Sequence, residues 1–199
     1  MVFVTKNGVI KRTELSEFDN IRKSGKIAIT LKEDDELIYV GVTTGNDEIA
    51  IGANNGRMVR FNEDEVRVMG RSASGVKGIE LEDSKVIGAE VIKPNQLILI
   101  VTENGYGKKS EIEEYRLTHR GSKGVKALNI TDKNGMMVAL KCVNPGDDYD
   151  LMIMTDSGII IKLPLEQVST LKRATQGVRL INLKEDQKVS TVAVVEKEE

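Results

Sequence analysis

The chain has 199 residues, 40% apolar and 30% charged, a composition that fits one large folded domain or two small ones. One cysteine, Cys142, and one histidine, His119, exclude an intrachain disulfide and a typical structural zinc site, and 4% aromatics without tryptophan argue against stacking platforms for single-stranded nucleic acid. The formal net charge of -2 does not by itself suggest a polyanionic partner, so any such reading must rest on where the charges sit.

Along the chain, Val2-Phe3-Val4 is too short for the apolar core of a signal peptide, and no later run reaches membrane-spanning length, so a reducing cytoplasm is the expected compartment. The first unit reads as strands over 2–5, 9–15, 26–31 and 36–43, with Asn7-Gly8 as the hairpin turn between the first two. The same turn signal returns at Asn55-Gly56, Asn104-Gly105 and Ser157-Gly158, so the turn glycines are 48, 49 and 53 residues apart. A second glycine follows each: Gly25, 17 residues on, then Gly75, Gly124 and Gly177, each 19 residues on. Each second glycine opens an alternating apolar run, as in Val76-Lys77-Gly78-Ile79 and Val178-Arg179-Leu180-Ile181. Acidic turns follow at Glu33-Asp34-Asp35, Glu82-Asp83 and Glu185-Asp186, and Asp132 to Gly135 fills that place in the third unit.

Four short strands per unit, repeated radially, predict an all-β, propeller-like domain of four four-stranded antiparallel blades spanning 1–199, with units near 1–47, 48–96, 97–150 and 151–199. Two ordinary β-sandwiches are the alternative, and the doubled glycine register disfavours them.

The charges follow the same register. Windows 20–32, 66–79, 115–130 and 168–184 hold fifteen Lys or Arg and no Asp or Glu, where an even spread would place about nine acids. The basic residues are Arg22, Lys23, Lys26 and Lys32, then Arg67, Arg71 and Lys77, then Arg116, Arg120, Lys123 and Lys126, and last Lys172, Arg173, Arg179 and Lys184. Three units share the motif Arg-x-x-x-Gly-Val-Lys/Arg, from Arg71 to Lys77, Arg120 to Lys126 and Arg173 to Arg179. A basic loop repeated once per blade becomes a basic belt along one edge, suited to the phosphates of duplex DNA whatever its sequence. Acidic turns elsewhere set the net charge without cancelling that belt, because exposed charges are screened beyond about 10 Å. A second basic position lies four residues past each turn glycine, at Arg12, Arg60, Lys109 and Lys162; DNA contact and a solvated strand face are equal readings of this set.

These residues resemble the C-terminal β-pinwheel family of DNA gyrase A. The resemblance is carried by Asn7 to Phe18, Ser24 to Leu31, Asp34 to Ile38, Gly56 to Phe61, Val66 to Gly70, Gly75 to Ile79, Thr102 to Lys108 and Ala174 to Val178, most specifically by Glu103-Asn104-Gly105-Tyr106-Gly107-Lys108. It implies blades with an exchanged strand and a rim that wraps double-stranded DNA. It further implies a place beside the rest of gyrase A, together with gyrase B, in an enzyme that supercoils DNA with ATP, in the bacterial cytoplasm on the nucleoid, with no cofactor in this chain and no membrane partner. The family's repeat logic gives about six blades against four here. Its Gln-Arg-Arg-Gly-Gly-Lys-Gly box is absent, with His119-Arg120-Gly121-Ser122-Lys123-Gly124 a degenerate echo, so His119 joins the expected DNA-binding set and the chain is placed after the first blade. The equivalent domain of topoisomerase IV therefore stays open, as does a propeller acting as a protein-interaction scaffold.

Catalysis is not expected. One histidine permits no Ser/His/Asp set, no Gly-rich phosphate loop opens a helix, and the acid pairs Asp34-Asp35 and Asp147-Asp148 fall at turns. The cleavage tyrosine of the resembling family lies in another domain, so Tyr39, Tyr106, Tyr115 and Tyr149 inherit no such role.

Overall fold

A computed structural model describes residues 1–146 and 148–197; Asp147 of the acidic turn pair lies outside the described residues. The elements are strands and four short 3-10 turns. In the first unit the strands are β1 (Val2–Thr5), β2 (Val9–Arg12) and β3 (Leu37–Gly41). The second has β4 (Glu48–Ala53), β5 (Arg57–Asn62), β6 (Val76–Lys77) and β7 (Val86–Ile92). The third has β8 (Leu97–Thr102), β9 (Tyr106–Glu111), β10 (Val125–Lys126) and β11 (Met137–Val143). The fourth has β12 (Tyr149–Thr155), β13 (Ile160–Pro164), β14 (Val178–Arg179) and β15 (Val189–Glu196).

The sheets order as β3-β1-β2-β6, β7-β4-β5-β10, β11-β8-β9-β14 and β15-β12-β13, all antiparallel. The all-β, four-blade architecture is the one the repeats predict. Each two-residue strand leaves its own unit and pairs with the blade before it: Val76 opposite Ile10, Val125 opposite Met58, Val178 opposite Gly107. This exchange corrects two expectations. Residues 26–31 form no strand, because among the described residues no preceding blade offers them an edge, and strand β2 stops at Arg12 where 9–15 was expected. For the same reason the fourth sheet shows three strands, β13 receiving no fourth.

Three further bonds tie each exchange, at equivalent positions. The turn-glycine carbonyl accepts an N–H from the next unit (Gly8 from Gly78, Gly56 from Ala127, Gly105 from Leu180, at 2.7–2.8 Å). The carbonyls of Arg12, Arg60 and Lys109 accept from Met69, Thr118 and Leu171 at 2.7–2.8 Å. Those of Lys6, Asn54 and Glu103 accept from Val86, Met137 and Val189 at 2.8–3.0 Å.

The core lies between blades. Strand β8 is buried on both faces, with Leu97, Leu99 and Val101 packing toward the fourth blade and Ile98 and Ile100 toward the second. Strand β4 splits likewise, Ile49 and Ile51 toward the first blade and Ala50 toward the third. Alternation of period two with both faces buried makes these strands near-continuous apolar runs. Strands β3, β7, β11 and β15 pack against one another in that order, so they form the inner side of the ring and the exchanged strands its outer rim.

Candidate nucleic-acid interface

The rim consists of the exchanged strands and the loops that lead into them, around 70–75, 119–124 and 172–177. The second glycine of each unit is where this loop meets the neighbouring blade. An ideal Cβ on Gly177 would sit 2.8 Å from the Gly107 carbonyl oxygen, one on Gly75 2.5 Å from that of Ile10, and one on Gly124 closer still to that of Met58. All three glycines have positive φ, so both the close approach and the backbone require glycine. Gly25, with no blade before it among the described residues, has open space instead.

The motif arginines hold the rim together. Arg71 donates through Nη1 to the Ile27 carbonyl at 2.9 Å, Arg120 to that of Lys77 at 3.0 Å, and Arg173 to that of Lys126 at 2.7 Å. Each acceptor lies two residues past the second glycine of the preceding unit, so every loop is stapled to the one before it. An acid nine residues past the turn glycine holds the same loop from below. Glu17 lies 3.9 Å from Arg71, and Glu65 accepts from the Arg120 backbone N–H at 3.1 Å, with His119 at 3.4 Å. Glu114 accepts from Lys172 at 2.6 Å; that contact, with the Arg173 backbone N–H, holds its carboxyl below the ordinary range. These three acids escaped the sequence reading because two of the acid-free windows begin one residue after them, at 66 and 115. Their common spacing from the turn glycine was the available signal.

The structure therefore divides the expected residues. Among the described residues, Arg22, Lys23, Lys32, Arg67, Arg116, Lys126 and Lys184 are exposed and their charged heads make no hydrogen bond or ion pair. Lys77 pairs with Glu80, Lys123 with Glu82 and Lys172 with Glu114, all near the surface, while Lys26 donates to the Asp19 and Glu17 carbonyls. Arg179 reaches the Tyr106 hydroxyl at 2.9 Å and lies over its ring, which explains one tyrosine of the most specific stretch. Arg71, Arg120 and Arg173 are half-buried staples.

The second basic set is turned into the blade joints. Arg60 donates to the Ile112 and Tyr115 carbonyls at 2.9 Å, closing the next unit's 3-10 turn, and Lys109 does the same to Leu165 at 3.1 Å. Arg12 binds Glu63 at 3.3 Å, and Lys162 remains exposed beside Asp150 at 3.0 Å. Solvation alone therefore does not describe this set.

Two hollows lie under successive loops. One, of about 650 Å³, is bordered by Arg22, Lys26, Gly70 and Arg71; the other, of about 590 Å³, by Arg116, His119 and Lys123. Both are open and lined mainly by the basic windows, with Glu17 on the first and Glu65 on the second. Among the described residues no group of three metal-ligating side chains comes together, and no helix is long and apolar enough to cross a membrane.

The family model for the DNA gyrase C-terminal domain, beta-propeller, matches residues 1–44, 47–93, 96–144 and 149–196, one match per blade. The DNA gyrase A protein of Halalkalibacterium halodurans is 58% identical over 200 residues, covering 100% of this chain and 24% of that protein. That of Ureaplasma parvum is 46% identical over 195 residues, covering 98% of this chain and 23% of that protein. The chain thus spans about a quarter of the curated relatives it matches. Among solved structures, the C-terminal domain of DNA topoisomerase IV superposes with a TM-score of 0.90 at 28% identity, covering 98% of this chain and 61% of that one. A DNA gyrase A C-terminal domain superposes at 0.83 and 24% identity, covering 97% and 64%, a likeness of fold. Four blade-length matches, set on four blades whose exchanged strands and rim loops repeat in one register, place this chain in the DNA gyrase C-terminal domain, beta-propeller family.

Proposed function

We propose that this chain is the non-catalytic domain of a bacterial DNA gyrase A protein that binds duplex DNA along its outer rim and bends it. Within the holoenzyme, with the rest of gyrase A and with gyrase B, it supports ATP-dependent negative supercoiling; the chain itself uses no cofactor and acts in the cytoplasm on chromosomal DNA. The observation that carries the reading is the recurrence, on or beside the rim, of exposed cations that are unpaired among the described residues: Arg22 and Arg116 border the hollows under the first and second loops, and Lys126 stands on an exchanged strand. Lys77, Lys123, Lys172 and Arg179 extend this surface, since exposed ion pairs are weak enough for a phosphate to replace the acid. Lys26, His119 and Lys162 lie on its margin. Arg71, Arg120 and Arg173 serve it mainly by fixing the loops, and Arg12, Arg60 and Lys109 by fixing the joints. Identities of 46–58% to gyrase A proteins, against 28% to the topoisomerase IV domain, support gyrase over its paralogue.

Fluorescence anisotropy with a duplex of about 40 base pairs, titrated across salt, tests the reading. Six to ten phosphate contacts would lower affinity by about 10³-fold or more between roughly 50 and 200 mM salt, whatever the sequence. Equal affinity at both salts would remove the rim as a phosphate surface.

A further inference from the structure

Two lysines lie where a charge is least expected. Lys11 and Lys108 occupy the third position past the turn glycine in the first and third units, and each is 0% exposed. Val59 and Ile161 hold that position in the second and fourth. The Lys108 ammonium donates to the Lys172 carbonyl at 2.8 Å and to the Arg173 carbonyl, the two residues that open the third blade's rim loop. The Lys11 ammonium donates to the carbonyls of Arg71 and Ala28, in the first blade's rim loop and in the segment beside it. Both therefore grip the backbone of a motif arginine from inside the blade. Among the described residues, none grips the second blade's loop in this way; there Glu65 takes the Arg120 N–H.

We infer that Lys108, with Lys11 as its counterpart, is a positioning residue for DNA binding: its buried ammonium fixes the rim loop whose outer face presents Lys172 and whose exchanged strand presents Arg179. This rests on the rim being the DNA surface. The charged groups facing Lys108 are Glu114, on the adjoining 3-10 turn, and Arg173, on the loop; the Tyr115 hydroxyl, pushed up to about 12 by burial, stays neutral nearby. Burial, with help from Arg173 and against Glu114, brings the ammonium down from 10.5 to about 8. The unfolded chain then binds more protons than the folded one between those values, so folding stability rises with pH across that window while the charged clamp is lost. A clamp that serves the loop, not the fold, makes DNA affinity and stability move in opposite directions.

The test compares the wild-type chain, Lys108→Met, Lys11→Met and Lys126→Gln for duplex affinity and melting temperature from pH 7 to 9.5 at fixed ionic strength. Lys108→Met is expected to shift the melting temperature little at pH 7, because relief of the buried charge offsets the two carbonyls left without their donor. It should bind DNA about tenfold more weakly and lose the fall in affinity that wild type shows above pH 8. Lys11→Met should give the same pattern on a more open blade. Wild-type affinity for DNA in Lys108→Met, or affinity that falls only in step with melting temperature in both lysine variants, would overturn the inference while Lys126→Gln still weakens binding. Failure of Lys126→Gln together with both clamp variants would instead overturn the rim reading itself.

Discussion

Residue by residue, the rim is specified by what cannot be placed there. Gly124 at φ +68° faces the Met58 carbonyl, whereas Gly25 at φ +76° faces nothing within 4 Å. Gly124→Ala must both strain the backbone and push the exchanged strand off its neighbour, and should cost about 3 kcal/mol or more. Gly25→Ala has only the left-handed conformation to bear and should cost about 1–2 kcal/mol. Urea unfolding of the two variants checks the contrast; equal losses would mean that the second glycines serve backbone conformation alone. Glu63 gives a different kind of residue-scale specification, because its carboxylate is buried. Burial pushes its pKa up, but bonds from Thr43, the Asp47 and Gly45 N–H groups and Arg12 outweigh this and hold it below the ordinary 4.5. A lowered folded-state value stabilises the fold above the ordinary value and withdraws that support as pH falls through the folded one. Glu63→Ala, leaving those donors unsatisfied, should cost about 2–3 kcal/mol at pH 7 and flatten the acid limb of the stability curve; an unchanged acid limb would show that this carboxylate does not govern it.

At the scale of the element, the exchanged strand explains what sequence could and could not disclose. The doubled glycine register was legible because all eight of these glycines sit at positive φ, a local backbone demand repeated in every unit. Strand pairing was not legible in the pattern, since Val76-Lys77 alternates in the same way whether it joins its own blade or the previous one; only the family resemblance implied an exchange. Residues 26–31 show the consequence: they carry the pattern of a strand, yet a strand exists only where an edge receives it. The clamps Lys11 and Lys108 passed unnoticed because lysine in an alternating run normally reads as a solvent-facing residue. The loop arginines were expected as phosphate contacts; the structure shows them as half-buried staples, a role hidden from the sequence because the Arg-x-x-x-Gly spacing shows the loop but not which carbonyl lies beneath it. This makes Arg120→Lys informative. The charge is retained, but the fork that reaches both the Lys77 carbonyl and, through Nε, the Glu65 carbonyl at 2.9 Å is lost. Hydrogen exchange around 119–124 should accelerate and DNA affinity fall several-fold. Full retention of both would mean that the arginine acts through charge alone.

For the whole molecule, the repeating geometry turns modest single charges into a continuous surface. A duplex that follows the rim meets the same loop on each of the first three blades, and bending a short site by tens of degrees costs a few kcal/mol, which several phosphate contacts offset. Each exposed rim cation should therefore contribute similarly and independently of DNA sequence. Lys126→Gln is expected to lower the slope of log affinity against log salt by about 0.9, whereas Lys141→Gln, on the inner strand β11, should leave it unchanged. Equal effects would describe a diffuse field of charge, not a belt.

The most direct test of the belt is a lysine footprint, in which amines of the free chain and of its complex with a duplex are acetylated and quantified residue by residue. Strong protection is expected at Lys23, Lys123, Lys126 and Lys172, with little change at Lys93, Lys141 and Lys188, and the protection should be lost at high salt. Protection centred on Lys93 and Lys188, with the rim lysines reacting as fast in the complex as in the free chain, would contradict the belt.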